Sequence, residues 1–242
     1  MAQQLSLPFS FGLETDFEHY HPGPDNTQMA QALRRAVSEG EGELFLLWSS
    51  APTGKSHLLQ ACCNEADKRG GRAAYLPLKT LSQNGPSVLE DVATCDVVTL
   101  DDIHCIAGIR VWEEAVFHCF NQIRQMGSTL IISSAQAPLA FTLGMPDLVS
   151  RIKSAEIYQI HDLRDDEKLV ALIHRAAARG ILITPEVGQY CLTRVGRDWL
   201  SLMTVLNAID QHSIEQKRRV TVPFVKALLQ DISIQPTGAA GV

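Results

Sequence analysis

Short apolar runs alternate with segments of helical periodicity over the first part of the chain. Leu44–Trp48 and Val97–Leu100 are continuous apolar runs, which are typical of strands buried on both faces of a parallel sheet. Ala73–Leu76, Leu130–Ile132 and Ile157–Ile160 are shorter runs that we expect to be strands as well. Because strands that alternate with helices at this spacing need crossover connections, the pattern predicts an α/β fold with a parallel five-stranded sheet flanked by helices.

The segments between the strands have the period of amphipathic helices. Helices are predicted at 26–38, at 55–68 and at 111–125, the first of them with Asp25 or Asn26 as its N-cap. After about residue 161 the strand-like runs stop and the pattern is helical throughout. The helices expected in this last part lie at 165–179, 185–195, 198–216 and 223–231. They predict a helical lid that follows the sheet.

The chain of 242 residues is long enough for one α/β domain and a small helical domain. We expect a tail and linker at 1–20, the α/β domain at 21–162, the lid at 163–232 and a disordered tail at 233–242. Prolines and glycines make the N-terminal segment irregular, yet it carries several large apolar side chains. Apolar residues in an irregular tail suggest that the tail binds a partner.

The formal net charge of −6 argues against a dedicated nucleic-acid-binding protein, because such proteins usually carry a basic face. We interpret the one compact basic cluster, Lys217–Arg219, as a solvated helix end. The six cysteines form no C-x-x-C pair, which fits a reducing compartment and disfavours disulfides and metal sites. No apolar run resembles a signal peptide or reaches membrane-spanning length, so we expect a cytoplasmic protein without membrane contact.

A Gly-Lys-Ser triplet follows the first predicted strand and opens the next helix. Backbone N–H groups at a helix N-terminus bind phosphate, and the helix dipole favours negative charge there. Lys55 would reach the β- and γ-phosphates of a nucleotide, and Ser56 would offer its hydroxyl to Mg²⁺. Ser49 replaces the first glycine of the full P-loop pattern, so a chance triplet at a helix start is the alternative. The predicted nucleotide-binding residues are Ser50, Ala51, Pro52, Thr53, Gly54, Lys55, Ser56 and His57.

Two carboxylates stand at the end of the apolar run that begins at Val97. In P-loop proteins an acidic residue at such a strand end helps to hold Mg²⁺. Asp101 is therefore a predicted metal ligand together with Ser56, and Asp102 is the predicted catalytic residue that orients the attacking water. The alternative is an exposed acidic turn that binds no metal.

The order of these motifs resembles the AAA+ family of the bacterial replication initiator DnaA. The resemblance covers most of residues 20–230, and within the family the chain is most similar to the homologues that switch the initiator off. The segments that carry it are Gly54-Lys55-Ser56-His57-Leu58-Leu59, then Asp101-Asp102-Ile103-His104 followed by Ala107-Gly108, and then Pro146-Asp147-Leu148-Val149-Ser150-Arg151-Ile152.

The resemblance implies a function called regulatory inactivation. The protein would sit on the sliding clamp, the β subunit of DNA polymerase III, and contact ATP-bound DnaA. It would stimulate hydrolysis of the initiator's ATP and so prevent re-initiation, with DNA contacted only through the clamp. The segment Gln4–Phe9 is similar to clamp-binding peptides, and the alternative is a tail that folds back on its own core. The clamp-binding residues implied are Gln4, Leu5, Leu7 and Phe9.

The resemblance also assigns roles to single residues. Arg151 lies where family members place an arginine finger, at the end of a short helix after the fourth strand, and it would reach a γ-phosphate on a neighbouring subunit. The alternative is a surface arginine paired with Asp147, one helical turn away. The chain's own ligand is expected to be ADP rather than ATP, with Mg²⁺, and the adenine pocket is expected to include Tyr20 and His21.

Some positions depart from the family pattern. The polar sensor position of the fourth strand aligns with Ala135, although Ser133 or Ser134 could replace it. The sensor arginine of the lid aligns with Leu200, although Arg197 lies one turn earlier and is a further nucleotide-binding candidate. We therefore expect weak or no ATP hydrolysis by the chain alone. A stand-alone AAA+ ATPase or helicase-loader-like protein is the alternative function, a small-molecule kinase is a third P-loop class, and a homo-oligomer stays open.

Overall fold

The computed structural model describes residues 15–40, 42–90, 92–195, 198–216 and 220–234. The chain forms two compact units, which divide between Asp162 and Leu163. The first unit contains a sheet with a hydrophobic cluster on each face, and the second contains a cluster of its own. The predicted clamp-binding residues, residues 235–242 of the predicted C-terminal tail, Arg197 and the basic cluster 217–219 lie outside the described residues.

Within the described part of the first unit, five strands form one parallel sheet. Its spatial order is β2-β3-β4-β1-β5, and Leu46 of β1 lies opposite Ile132 on one side and Ile157 on the other. The predicted parallel five-stranded sheet is thereby confirmed. The strands are β1 (Leu44–Trp48), β2 (Ala73–Pro77), β3 (Val97–Asp101), β4 (Thr129–Ser134) and β5 (Glu156–Gln159).

Helices cover both faces of this sheet. Alternate side chains of β1 contact the two layers: Phe45 and Leu47 pack with α1 and α2, whereas Leu46 packs with α4 and α5. A short helix, α3, follows β2. The helices are α1 (Gly23–Glu39), α2 (Lys55–Lys68), α3 (Leu78–Leu81), α4 (Arg110–Met126) and α5 (Pro146–Lys153).

The first helix begins earlier than the sequence predicts. α1 starts at Gly23 with a proline in its first turn, where the missing N–H would have no helical partner in any case. The amide of Asn26 donates to Pro22 O at 2.8 Å and to His161 O at 2.9 Å, and its oxygen accepts from His161 N at 2.9 Å. The prediction of Asp25 or Asn26 as N-cap is wrong, because both residues lie inside the first turn of a helix that begins at Gly23.

The second unit is entirely helical within the described residues, as predicted. Its second helix is capped by Thr184, whose hydroxyl accepts from Val187 N at 3.4 Å, and its third begins after Asp198, whose Oδ1 accepts from Ser201 N at 2.8 Å. No helix in the described ranges is both long and apolar enough to cross a membrane. The helices are α6 (Asp165–Ala178), α7 (Pro185–Arg194), α8 (Trp199–Gln216) and α9 (Val222–Ile234).

Candidate nucleotide-binding site

The loop between β1 and α2 contains the Gly-Lys-Ser triplet. Gly54 ends this loop in the left-handed conformation, with φ 86° and ψ 23°, and a Cβ atom there would lie 3.3 Å from Cε2 of Tyr20. Both observations favour glycine at this position. No side chain of the described residues caps α2, which begins at Lys55 and is 14 residues long. Its first N–H groups can therefore bind an anion such as phosphate.

Hydrogen bonds inside the loop shape it. Ser49 Oγ accepts from Ala51 N at 3.3 Å, and Ala51 O accepts from Thr53 N at 2.9 Å. Thr53 Oγ1 is buried and has no hydrogen-bond partner among the described residues. Ser50 and Pro52 are exposed. An unpaired buried hydroxyl in a loop with exposed neighbours fits a polar ligand such as a pyrophosphate, because buried polar atoms are rarely left unpaired.

The ammonium of Lys55 lies back across this loop. Its Nζ donates to Ser49 O at 2.8 Å and to Ala51 O at 3.1 Å. Burial lowers the pKa of Lys55 from its ordinary value, and the charges of Asp102 and Asp101 oppose this effect. Lys55 therefore stands between the phosphate loop and the two carboxylates, where a bound phosphate would stabilise its charge.

Asp101 ends β3 and is buried, with 3% of its surface exposed. Its Oδ2 accepts from the Tyr75 hydroxyl at 2.7 Å, and its Oδ1 accepts from the Ser133 hydroxyl. Burial raises the pKa of Tyr75, the charge of Asp101 adds to this rise, and polar contacts that include Ser56 act against it. The alternative of an exposed acidic turn is thus excluded for Asp101, because hydrogen bonds from β2 and β4 hold its carboxylate in a buried position.

Asp102 has an uncommon backbone conformation. With φ 59° and ψ 52° it is the one non-glycine residue of positive φ in the described ranges, and its N–H donates to Ser133 Oγ at 2.8 Å. Burial raises the pKa of Asp102 and the charge of Asp101 adds to the rise, against nearby cations. His104 Nδ1 lies 4.0 Å from Asp102 Oδ1 and accepts from Ala135 N at 3.2 Å. Aspartate is one of the few non-glycine residue types that adopt this left-handed conformation readily.

The end of β4 shows which serine contacts the acidic strand. Ser133 Oγ bonds to the carboxylate of Asp101 and accepts from the N–H of Asp102, whereas Ser134 Oγ accepts from Gln136 N at 2.9 Å in the following turn. Ser133 is thus the polar side chain that β4 directs at Asp101. Tyr75 is a site residue that the sequence analysis missed. No local signal marks a tyrosine in a strand, and its partner is known only once β2 is paired with β3.

The segment before α1 lies against the phosphate loop and α2. The rings of Tyr20 and His57 are 5.7 Å apart, and His57 Nε2 donates to Asp16 O at 2.9 Å. Asp16 also bonds to Lys68 Nζ at 3.2 Å. Burial raises the pKa of Tyr20. The structure therefore brings Tyr20 to the phosphate loop, and His21 follows it in a half-buried position.

Arg151 lies in the last turn of α5, on the opposite face of the sheet from α2. The inner side of α5 is formed by Leu148 and Ile152, both fully buried, while Arg151 is half-buried. The ion pairs found among the described residues do not include Arg151, so the alternative pair with Asp147 is not seen. The site thus contains the phosphate loop, the two aspartates and Tyr20, whereas the helix that carries Arg151 lies on the opposite face of the sheet.

Ser56 and Asp101 are the predicted protein ligands of Mg²⁺. No group of three or more His, Cys, Asp or Glu side chains in the described ranges could hold a metal ion by itself. Mg²⁺ does not need such a group, because it usually keeps several waters and binds one or two carboxylates together with substrate phosphates. Ser56 is exposed in the first turn of α2 and shares the neighbour Tyr75 with Asp101. The two residues fit an ion held mainly by a nucleotide.

Two family models match this chain. The model for the bacterial DnaA ATPase domain matches residues 13–156, which is more than half of the chain. The model for the Hda lid domain matches residues 165–229. The two matched ranges fall on either side of the division between the two units.

Solved structures share the fold. Domain III of DnaA from Thermotoga maritima has a TM-score of 0.77 at 18% identity, with 92% of this chain and 98% of that chain covered. AMPPCP-bound DnaA from Aquifex aeolicus has a TM-score of 0.69 at 22% identity, with coverages of 85% and 69%. The Thermotoga maritima RuvB Holliday junction branch migration motor has a TM-score of 0.67 at 16% identity, with coverages of 91% and 74%. At these identities the likeness shows the AAA+ fold alone.

Proposed function

Because the chain belongs to the family of bacterial DnaA ATPase domains and carries an Hda-type lid, we propose that it inactivates the replication initiator DnaA. In this proposal it binds the DNA polymerase sliding clamp and stimulates hydrolysis of DnaA-bound ATP, which prevents re-initiation. The observation that carries the proposal concerns Arg151 on α5. Its side chain is half-buried and belongs to none of the ion pairs found among the described residues, and the same domain also has a phosphate loop.

The chain's own site would hold an adenine nucleotide, with ADP preferred to ATP. The loop amides and the start of α2 would bind the phosphates, and Lys55 would balance their charge. Ser56 and Asp101 would supply the protein ligands of Mg²⁺, which neutralises phosphate charge when bound. Tyr20 and His21 would border the base. The AMPPCP complex of the Aquifex aeolicus DnaA, which shares this fold, supports an adenine nucleotide.

Weak hydrolysis of that nucleotide fits the acidic end of β3. Asp101 already accepts a hydrogen bond on each carboxylate oxygen, one from Tyr75 and one from Ser133. Ala135, at the sensor position, has no polar side chain. The nucleotide would then serve as a permanent part of the structure that keeps the domain rigid.

In this proposal Arg151 acts on the initiator's nucleotide. Its guanidinium would lie against the γ-phosphate of a neighbouring DnaA and stabilise the charge that spreads over the phosphoryl oxygens in the transition state. Arginine fingers supplied by a partner increase hydrolysis by about 10³–10⁵. The placement of Arg151 on the opposite sheet face from α2 supports action on a second molecule.

The clamp-binding role is carried by the tail. Gln4, Leu5, Leu7 and Phe9 precede the segment in which Asp16 and its neighbours bind α2. That attachment fixes where the tail joins the domain, so a tail bound to the clamp would hold the domain close to it. A segment that becomes ordered on binding has modest affinity, since ordering opposes association.

The proposal is tested by measuring hydrolysis of radiolabelled ATP on DnaA in the presence of clamp loaded on DNA. We expect Arg151→Ala to reduce the stimulated rate by at least about a hundredfold, because it removes the finger. Removal of residues 1–9 should abolish stimulation at low concentrations of the chain. Lys153→Ala is the matched control, because Lys153 is an exposed cation on the same helix, and it should keep native stimulation.

Native stimulation by both Arg151→Ala and the shortened chain would refute the proposal. A stand-alone AAA+ ATPase is the second candidate, favoured by the phosphate loop and by the adjacent Asp101 and Asp102. Steady-state ATP turnover by the purified chain separates the two candidates. Substantial turnover without DnaA or clamp would support the ATPase, and turnover that stays near background would support the regulator.

A further inference from the structure

Glu113 is a buried carboxylate outside the nucleotide site. It lies in the first turn of α4, and 3% of its surface is exposed. The ion pairs among the described residues do not include Glu113. A buried carboxylate without a cation needs strong hydrogen-bond donors, because an uncompensated charge is very unfavourable in a protein interior.

The donors are two backbone N–H groups, one from the loop just before α4 and one from a loop that is distant in sequence. Glu113 Oε1 accepts from Gly108 N at 2.8 Å and from Gly144 N at 2.9 Å. Gly108 lies in the loop that follows the acidic end of β3, and Gly144 lies just before α5. A Cβ atom at Gly144 would be 3.4 Å from Glu113 Oε2 and 3.8 Å from Oε1, so the carboxylate directly contacts that loop.

The second of these loops leads into the helix that carries Arg151. α5 has eight residues, and its inner side, formed by Leu148 and Ile152, packs in one cluster with Trp112 of α4. Apolar packing holds α5 against α4, but it is not directional and does not by itself fix the helix along its axis. The hydrogen bond at Gly144 supplies that missing constraint at the start of α5.

We propose that Glu113 is a positioning residue for Arg151. Through Gly144 it fixes the start of α5, and through Gly108 it ties α5 to the loop after the acidic end of β3. This inference deepens the proposed function and rests on it. A guanidinium that must meet a γ-phosphate on another molecule is sensitive to its position, since a displacement of about 1 Å reduces a rate by roughly a hundredfold.

Three single variants separate this role from a general effect on stability. Glu113→Ala removes the acceptor, whereas Glu113→Gln keeps an oxygen at the same reach. Glu114→Ala is the matched control, since Glu114 is the next residue of α4, is half-exposed and pairs with Arg110 at 2.7 Å on the surface. If Glu113→Ala does not fold, Glu113→Asp takes its place, because its shorter side chain also fails to reach both loops.

Each variant is measured by amide hydrogen exchange and by stimulated hydrolysis of DnaA-bound ATP. For Glu113→Ala we expect exchange at Gly108 and Gly144 to rise by about tenfold or more, because both amides lose their acceptor. We expect the maximal stimulated rate to fall about 10- to 100-fold at an unchanged half-saturating concentration and unchanged ADP affinity. Glu113→Gln and Glu114→Ala should stay within about threefold of the native rate.

A double variant tests whether Glu113 acts through the finger. If it does, Glu113→Ala combined with Arg151→Ala should equal Arg151→Ala alone, because the first change has nothing left to displace. A further fall in the double variant would overturn the proposal. So would native exchange at Gly144 in Glu113→Ala, whatever the hydrolysis result.

The two proposals fail in different ways. If Glu113→Ala releases the Gly144 amide and keeps the native maximal rate, while Arg151→Ala abolishes stimulation, the positioning role is wrong and the proposed function stands. If Arg151→Ala itself stimulates like the native chain, the proposed function fails and the positioning role fails with it.

Discussion

Replacing Tyr75 with phenylalanine would remove one buried oxygen atom from the middle of β2. The Tyr75 hydroxyl donates to Asp101 Oδ2 at 2.7 Å, and only 3% of the surface of Asp101 is exposed. In the variant the carboxylate keeps the hydrogen bond from Ser133 and loses the donor on its other oxygen. The aromatic ring stays in place, so we expect the fold to be retained.

The size of the effect follows from the burial of the acceptor. A hydrogen bond to a charged group contributes about 1.5–3 kcal/mol, and a buried acceptor left unsatisfied costs about 1–3 kcal/mol. We expect Tyr75→Phe to lower the free energy of unfolding of the first unit by about 2 kcal/mol, roughly a 30-fold change in its unfolding equilibrium. That is a large share of the roughly 5–15 kcal/mol that stabilises a typical domain.

Tyr158→Phe is the matched control. It removes the same atom from another strand tyrosine, whose hydroxyl donates to the exposed carboxylate of Glu156. Water replaces that lost partner, so we expect a change below about 0.5 kcal/mol. Native-state hydrogen exchange of the β1 and β4 amides is the appropriate assay, because it reports on the first unit alone in a chain of two units.

Equal exchange in the two tyrosine variants would refute this reasoning, since it would show that Asp101 does not depend on the bond from β2. A loss above about 4 kcal/mol for Tyr75→Phe would also contradict it, because removal of a single hydroxyl group does not account for so large an effect.

Three further predictions concern other parts of the chain. Lys55→Ala should weaken ADP binding by about 10- to 100-fold in calorimetry, because it removes the cation of the phosphate loop; unchanged affinity would contradict the assignment. Burial acts to raise the pKa of Asp16, but hydrogen bonds led by those from His19 outweigh it and lower the pKa. Asp16→Asn should therefore reduce the free energy of unfolding near neutral pH. In acid unfolding the stability difference between the variant and the native chain should disappear as the pH falls below 3.8, the ordinary pKa of the carboxyl group, and through the lowered pKa of Asp16 in the folded chain. Burial raises the pKa of Cys119 to about 12 and the pKa of Cys191 to about 11. A thiol reagent at mildly alkaline pH should therefore modify both cysteines only after the chain unfolds. Rapid labelling of the native chain would contradict this prediction, because it would show that the two thiols are accessible.

Elements with a strong local signal could be predicted from the sequence. α2 runs from Lys55 to Lys68 as predicted, because its apolar period and the glycine before it are both local features. β1 coincides with its predicted limits, since a continuous apolar run requires a strand covered on both faces. The phosphate loop was equally visible, because all of its residues are consecutive.

Elements that depend on their neighbours could not be predicted in the same way. α1 starts at Gly23, and Asn26 in its first turn bonds to His161, which is far away in the sequence. β5 was predicted as an apolar strand, but it lies at the edge of the sheet and most of its side chains are exposed. Edge and centre are properties of strand order, which the apolar pattern of one strand does not contain.

The sequence by itself determined the parallel α/β fold, the helical second unit and the position of the phosphate loop. Only the tertiary structure decided that Tyr75 and Ser133 hold Asp101, and that Glu113 joins the loops of Gly108 and Gly144. The physical reason is that periodicity and turn chemistry act between residues close in the chain. Hydrogen bonds to a buried carboxylate instead depend on which distant strands and loops the folded chain brings within about 3 Å of it.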